Sequence, residues 1–192
     1  MSVNKFITYF ENLEKLIVVL PGRFQPFHLG HLHIYKQLVS KFGKDKVYIT
    51  TSDPKKLDDK NPLTFEQKKK LIEASGIPEN KIIEMKGSAY NGEDILKSLH
   101  MNPNSGKSLI VSFSEKNHKE KKLIGKYYKK FKDIDSMNTS DKNGYIYVVN
   151  FTEKINATDI REFLKKKDLK SILKMIPNNP EYLTLLRNYF KI

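Results

Sequence analysis

Apolar and polar positions along the 192 residues follow two rhythms. Short β-branched or aromatic runs, at Leu16 to Leu20, Lys46 to Thr51, Lys81 to Met85, Leu109 to Phe113 and Tyr145 to Phe151, predict five strands. Between them apolar residues recur at helical spacing. Positions 34, 35, 38, 39 and 42 predict a helix over 32–42 closed by Gly43. Thr64-Phe65-Glu66-Gln67 has capping-box spacing and opens a helix that runs to Gly76. Shorter helices are predicted over 93–99 and 158–164, and a lysine-rich one from about 118 to 131. Phe6, Phe10 and Leu13 give residues 2–14 the pattern of a leading amphipathic helix. The tail, 168–192, reads as two short helices broken around Pro177 to Pro180, and 133–144 as a polar loop.

Strands that alternate with helices imply an α/β fold: a doubly wound, five-stranded parallel sheet with helices on both faces and a small helical C-terminal appendage. No repeat and no Pro-, Gly- or Ser-rich linker divides the chain. It reads as a single domain, 1–192, with its core at about 16–164.

Composition narrows the chemistry. The absence of cysteine excludes disulfides, thiolate metal sites and a cysteine nucleophile. Leu16 to Leu20 is the longest fully apolar run, too short to span a membrane, and the amino terminus lacks the pattern of a secretion signal. The expectation is a cytoplasmic protein without a membrane partner. The formal net charge is +13, carried by 32 lysines but only three arginines, Arg23, Arg161 and Arg187. Arginine offers a rigid fork that matches phosphate oxygens, whereas lysine is a point charge. Each arginine in a lysine-rich chain therefore marks a position to inspect.

Ligands of open α/β sheets bind beyond the carboxyl ends of the strands, where strand order reverses. The string that follows the first strand is Gly22-Arg23-Phe24-Gln25-Pro26-Phe27-His28-Leu29-Gly30-His31. Two histidines three apart flank a glycine where a helix begins. Free N–H groups and the helix dipole at such an end favour an anion, and Gly30 lets a phosphate approach the backbone. His28 and His31 then face one turn and donate to phosphate oxygens. No carboxylate lies between 15 and 44 to complete a metal-ligand set, so no protein-held metal is expected.

This cassette resembles the signature of the HxGH nucleotidylyltransferase superfamily, also called cytidylyltransferase-like. Its Arg-Phe-Gln form is most similar to archaeal-type nicotinamide mononucleotide adenylyltransferases. Two further stretches carry the resemblance: Asn61-Pro62-Leu63-Thr64 is similar to an Asn-Pro-Phe-Thr segment of those enzymes, and Ile155-Asn156-Ala157-Thr158-Asp159-Ile160-Arg161 to the motif Ile-Ser-x-[Ser/Thr]-x-Ile-Arg. Two of the three arginines fall inside these motifs.

The resemblance implies a Rossmann-like fold and direct transfer of a nucleoside monophosphate, AMP from ATP, to a phosphorylated acceptor such as nicotinamide mononucleotide, with release of pyrophosphate. It assigns catalysis to His28, His31 and Arg161 and phosphate binding to Gly22, Arg23, Phe24, Gln25, Gly30 and Thr158; for Thr158 the alternative is a helix cap alone. Mg2+ arrives mainly on the triphosphate. The segment after the fourth strand, Ser112-Phe113-Ser114-Glu115, lacks the Gly-x-Asp pattern of many members; Ser114 and Glu115 are the candidate acceptor contacts. Transfer of CMP to a phosphorylated sugar, alcohol or amine is the alternative. A second alternative is a basic nucleic-acid-binding domain or weak polyanion binding, which rests on Lys116 to Lys132, where Tyr127 and Tyr128 interleave with eight lysines.

Overall fold

The computed structural model describes residues 7, 9, 11, 13–101, 108–115, 122–137, 144–151 and 155–192. Six parallel strands form the sheet: β1 (Leu16–Pro21), β2 (Val47–Thr51), β3 (Ile82–Glu84), β4 (Ser108–Ser114), β5 (Lys129–Lys130) and β6 (Tyr145–Val149). Their order is β3-β2-β1-β4-β6-β5. The described helices are α1 (Leu29–Phe42), α2 (Phe65–Glu73), α3 (Gly92–Ser98), α4 (Ala157–Lys165), α5 (Leu169–Leu173) and α6 (Pro180–Phe190).

β1 is buried at all six positions, which explains its unbroken apolar run: a central parallel strand is covered on both faces. Successive side chains serve opposite faces. Leu16, Val18 and Leu20 join Ile34, Leu38 and Phe42 of α1 in one core, while Ile17 and Val19 join Ile95 and Leu96 of α3 in the other. The chain steps outward from β1 through β2 to β3, then returns to the far side of β1 with β4 and β6. That reversal leaves a crevice between the carboxyl ends of β1 and β4.

The C-terminal helices form a third core. Ile172, Ile176, Tyr182 and Leu186 pack with Leu71 of α2 and with Ile160 and Leu164 of α4. The appendage is thus anchored against α2 and against α4, which borders the crevice through Thr158 and Arg161.

The structure departs from the sequence reading in places. The lysine-rich helix expected over 118–131 is absent among the described residues of that segment. Residues 122–128 turn instead, with Gly125 at φ +82°, and Lys129 and Lys130 pair with Tyr145 and Ile146 as a sixth strand at the sheet edge. Burial decides this: Tyr128 enters one core and Phe131 the other, a division that a chain crossing the sheet edge can make. α1 begins at Leu29, three residues earlier than expected, because His28 is already in extended N-cap geometry. In the leading segment the described residues 7, 9, 11, 13 and 14 are helical; the rest of that expected helix lies outside the described residues, as do 138–143 of the polar loop. No described helix is long and apolar enough to cross a membrane.

Candidate active site

The loop from β1 to α1 is built around Phe24. This residue takes φ +48° and is 2 % exposed. A Cβ on Gly22 would lie 2.5 Å from its ring, so the turn needs glycine at position 22. Phe24 meets His31 edge-on at 4.9 Å between ring centroids, Phe27 lies 5.4 Å from His31, and the His28 and His31 rings stack at 3.7 Å. His28 is buried among these groups. Burial, and then the neighbouring His28, hold the His31 imidazolium well below the ordinary histidine range. His31 is therefore neutral near pH 7 and presents a single N–H. Its Nδ1 is buried and has no hydrogen-bond partner among the described residues, which is uncommon in a folded interior. At Gly30 a Cβ would come within 3.0 Å of the Phe151 ring and 3.1 Å of His28. A side chain there would crowd the turn.

The second helix start comes from the far end of the chain. Asn156 caps α4 by accepting from the Asp159 N–H at 2.9 Å, and its own amide donates to the Asp159 carboxylate at 2.7 Å. Asn156, not Thr158, is thus the cap, which removes the capping alternative for Thr158. Thr158 sits one residue inside the helix, where its hydroxyl accepts from Arg161 Nη2 at 3.2 Å. Arg161 Nη1 donates to the Gln25 carbonyl at 2.6 Å, across 136 residues of chain. Burial and then Arg23 pull the Arg161 pKa down, against the attraction of Asp58 and Asp59.

Gln25 borders the pocket, but its side-chain amide is committed elsewhere. Its side chain is buried and spent on the backbone of Leu63, donating to the carbonyl at 2.8 Å and accepting from the N–H at 2.9 Å. Only its carbonyl serves Arg161. The Leu63 segment leads into the Thr64–Gln67 capping box, which forms as read.

These parts line one open pocket of about 430 Å³. Gly22, Arg23, Phe24, Gln25, His28, Gly30, His31, Thr158 and Arg161 all border it, as does Ser114. Glu115 does not: it is exposed, and its N–H extends the sheet ladder to the Val149 carbonyl at 3.1 Å. The sequence reading missed Lys60, Tyr90, Phe113 and Phe151, which also border the pocket. Lys60 sits in a turn organised by Asp58, whose Oδ1 accepts from the Lys60 and Asn61 N–H groups at 2.8 and 2.7 Å. An ion pair at 2.6 Å between Asp59 and Lys165 of α4 ties that turn to the arginine's helix. Tyr90 and Phe113 lie 5.7 Å apart, and the Tyr128 hydroxyl donates to the Tyr90 carbonyl at 2.7 Å. Burial pushes the Tyr128 phenol up to about 12.

The electrostatics are one-sided. Among the described residues, Arg23, Lys60 and Arg161 border the pocket and no Asp or Glu does. Arg23 repels Arg161 across it, and a concavity bordered by cations favours an anion. Among the described residues no group of three or more His, Cys, Asp or Glu could hold a metal ion.

Residues 19–163 match the cytidylyltransferase-like family. The chain belongs to that family. This cytidylyltransferase-like protein is 28 % identical over 160 residues to nicotinamide-nucleotide adenylyltransferase 1 of Sulfolobus acidocaldarius, across 79 % of each chain. It is 27 % identical over 105 residues to "Probable nicotinate-nucleotide adenylyltransferase" of Enterococcus faecalis, 50 % of this chain and 48 % of that one. Its fold resembles Plasmodium falciparum nicotinic acid mononucleotide adenylyltransferase complexed with NaAD, with a TM-score of 0.53 over 90 % of this chain and 96 % of that one at 17 % identity. Family and homologues agree on a nucleotidyltransferase.

Proposed function

We propose that this cytidylyltransferase-like protein transfers AMP from ATP to a pyridine mononucleotide, nicotinamide or nicotinate mononucleotide, and releases pyrophosphate. One observation carries the reading: His28, His31 and Arg161, from opposite ends of the sequence, border a single pocket that among the described residues is cationic and free of carboxylates. The homologous enzymes from Sulfolobus and Enterococcus, named for this transfer, support the choice of acceptor.

An acceptor phosphate oxygen attacks the α-phosphorus; the bond to the bridging oxygen breaks, and its electron pair leaves with pyrophosphate. No covalent protein intermediate is needed, so catalysis is positioning and charge stabilisation. His31, neutral and rigidly stacked, donates its N–H to an α-phosphate oxygen as charge builds there, and His28 supports the same phosphate. The amides of Gly30 and His31, at the open end of α1, add donors. Arg161 and Thr158 at the start of α4 hold the departing pyrophosphate, with Arg23 and Lys60 balancing its charge. Tyr90 and Phe113 offer flat apolar faces for the acceptor ring, beside the Ser114 hydroxyl. Magnesium would enter as part of the substrate and supply charge neutralisation on the triphosphate; among the described residues the pocket border holds no carboxylate.

Crossing ATP and CTP against phosphorylated acceptors while pyrophosphate is monitored tests the reading. Release with ATP and a pyridine mononucleotide is expected. Release only with CTP and a phosphorylated sugar, alcohol or amine replaces it with the cytidylyl alternative. A weaker affinity for polyanions is a second reading. It is favoured by a groove at the β5 edge of the sheet, bordered by Lys126, Lys129, Lys130 and Lys132 with Tyr127 and Tyr128, and by no carboxylate among the described residues. A steep loss of oligonucleotide binding with added salt tests that reading.

A further inference from the structure

His28 is held from both sides by the C-terminal appendage. The carbonyl of Phe27, immediately before it, accepts a hydrogen bond from the Tyr182 hydroxyl. The N–H of Leu29, immediately after it, donates to the Met175 carbonyl at 3.0 Å. Tyr182 belongs to α6 and Met175 to the turn after α5, so the two straps come from a segment that begins beyond the family-matched region, which ends at residue 163. Neither residue borders the pocket.

The straps suit a positioning task. Tyr182 is fully buried, and burial pushes its phenol far above the ordinary range, so the hydroxyl keeps its proton and remains a donor. Leu29 N–H is one of the amides at a helix start that lack an intrahelical acceptor. Met175 consumes it, which leaves the next two amides, of Gly30 and His31, as the donors at the open end of α1. The His28 carbonyl is occupied too, accepting from Leu32 N–H at 3.0 Å as the first helical bond. Backbone on either side of the histidine is thereby fixed while its ring stacks on His31 at 3.7 Å.

The same appendage grips the other catalytic element. Ile160, directly before Arg161 in α4, and Leu164, one turn later, are buried with Tyr182 and Ile172 in the third core. One small core therefore touches the backbone of the histidine turn and the inner face of the arginine helix.

We propose that the C-terminal helices are part of the catalytic apparatus, with Tyr182 as a positioning residue that aligns the histidine pair with Arg161 through the backbone of Phe27. The kinetic arm of this inference rests on the nucleotidyl-transfer reading; the spectroscopic arm does not.

Tyr182→Phe in the full chain keeps the ring and deletes the strap. Turnover is expected to fall about 10- to 100-fold while KM for the nucleoside triphosphate stays within about twofold, since misalignment is felt in the transition state. In a His28→Ala background the same change is expected to add no further loss, because the residue it aligns is gone. Unchanged turnover in Tyr182→Phe, or full additivity with His28→Ala, overturns the proposal. Leu29→Pro is the second variant. It removes the other strap at a first helical position that tolerates proline, after a residue already extended at φ −148° and ψ 174°; the same kinetic split is expected.

Should the wild type release pyrophosphate with none of the substrate pairs, the transfer reading fails, and imidazole nitrogen titrations by NMR still decide the positioning. A His31 titration midpoint that moves toward the ordinary histidine value in Tyr182→Phe supports it. An unmoved midpoint in a folded Tyr182→Phe overturns it.

Discussion

Arg161 donates to the carbonyl oxygen of Gln25 at 2.6 Å and so joins the start of α4 to the loop after β1. The guanidinium makes a second bond, to Thr158 Oγ1 at 3.2 Å, which fixes its plane. A lysine at this position could supply the charge but not two donors in a fork. Arg161→Lys is expected to lower turnover about 100-fold, the scale for losing a preorganised donor, with an unchanged circular dichroism spectrum. Wild-type turnover in that variant would remove Arg161 from the reaction.

His31→Ala is expected to reduce turnover by about 10²–10³ without unfolding the chain. The pH dependence of stability offers a separate check. In the folded chain His31 binds its proton only well below the unfolded value of 6.5, so the unfolded chain binds more protons between the two values. Its contribution is fully present above pH 6.5 and is lost as pH falls toward the folded pKa. Denaturation midpoints of the wild type should drop relative to His31→Asn on acidification below 6.5. Parallel pH curves would show that the imidazole is not desolvated.

Gly22 and Phe24 form a tight pair. Alanine at 22 would place its Cβ 2.5 Å from the Phe24 ring, a contact that forces the ring off its seat against His31. Gly22→Ala is expected to destabilise by about 1–3 kcal/mol, as overpacking does, and to depress activity. Because the clash is with a side chain, Gly22→Ala combined with Phe24→Leu should recover part of the stability in a denaturant titration. Failure of the pair to recover would place the strain in the backbone instead.

Lys68 of α2 is buried at the carboxyl end of β2, where its ammonium donates to Thr51 Oγ1 at 3.0 Å and to the Ser52 carbonyl at 2.5 Å. Burial lowers its pKa to about 8, against the attraction of Asp53 and Glu84. The unfolded chain binds this proton up to about 10.5, so between pH 8 and 10.5 the folded state holds fewer protons and raising pH favours folding. Stability of the wild type measured against Lys68→Met should therefore rise across that window and stay level below it. A flat difference would mean that the ammonium is solvated.

Much of this protein is written in short stretches. The Leu16 to Leu20 run specifies a strand covered on both faces, the Thr64–Gln67 box starts its helix, and the Gly22–His31 cassette together with Asn156–Arg161 marks two anion-ready helix starts. Such features depend on neighbours a few residues apart, through period, capping and turn geometry, and can be recognised before any fold is known. Lys129 and Lys130 show the limit. Their surroundings read as a lysine-rich helix, yet the demand to bury Tyr128 and Phe131 on opposite faces of a distant sheet makes them an edge strand.

Tertiary packing decided the remainder. Lys60 borders the pocket from an Asx turn made by Asp58, a placement set by tertiary packing, while Glu115, predicted for the acceptor, lies outside the pocket with its N–H on the β4–β6 ladder. Gln25 turns its amide to Leu63 and leaves only a carbonyl for Arg161. The straps from Tyr182 and Met175 end on the Phe27 carbonyl and the Leu29 N–H, backbone groups that most residue types would present there, so the side chains around His28 do not announce them. Contacts of that kind are selected by how the third core seats the tail against α2 and α4, a balance of burial summed over the whole chain rather than over any window of it.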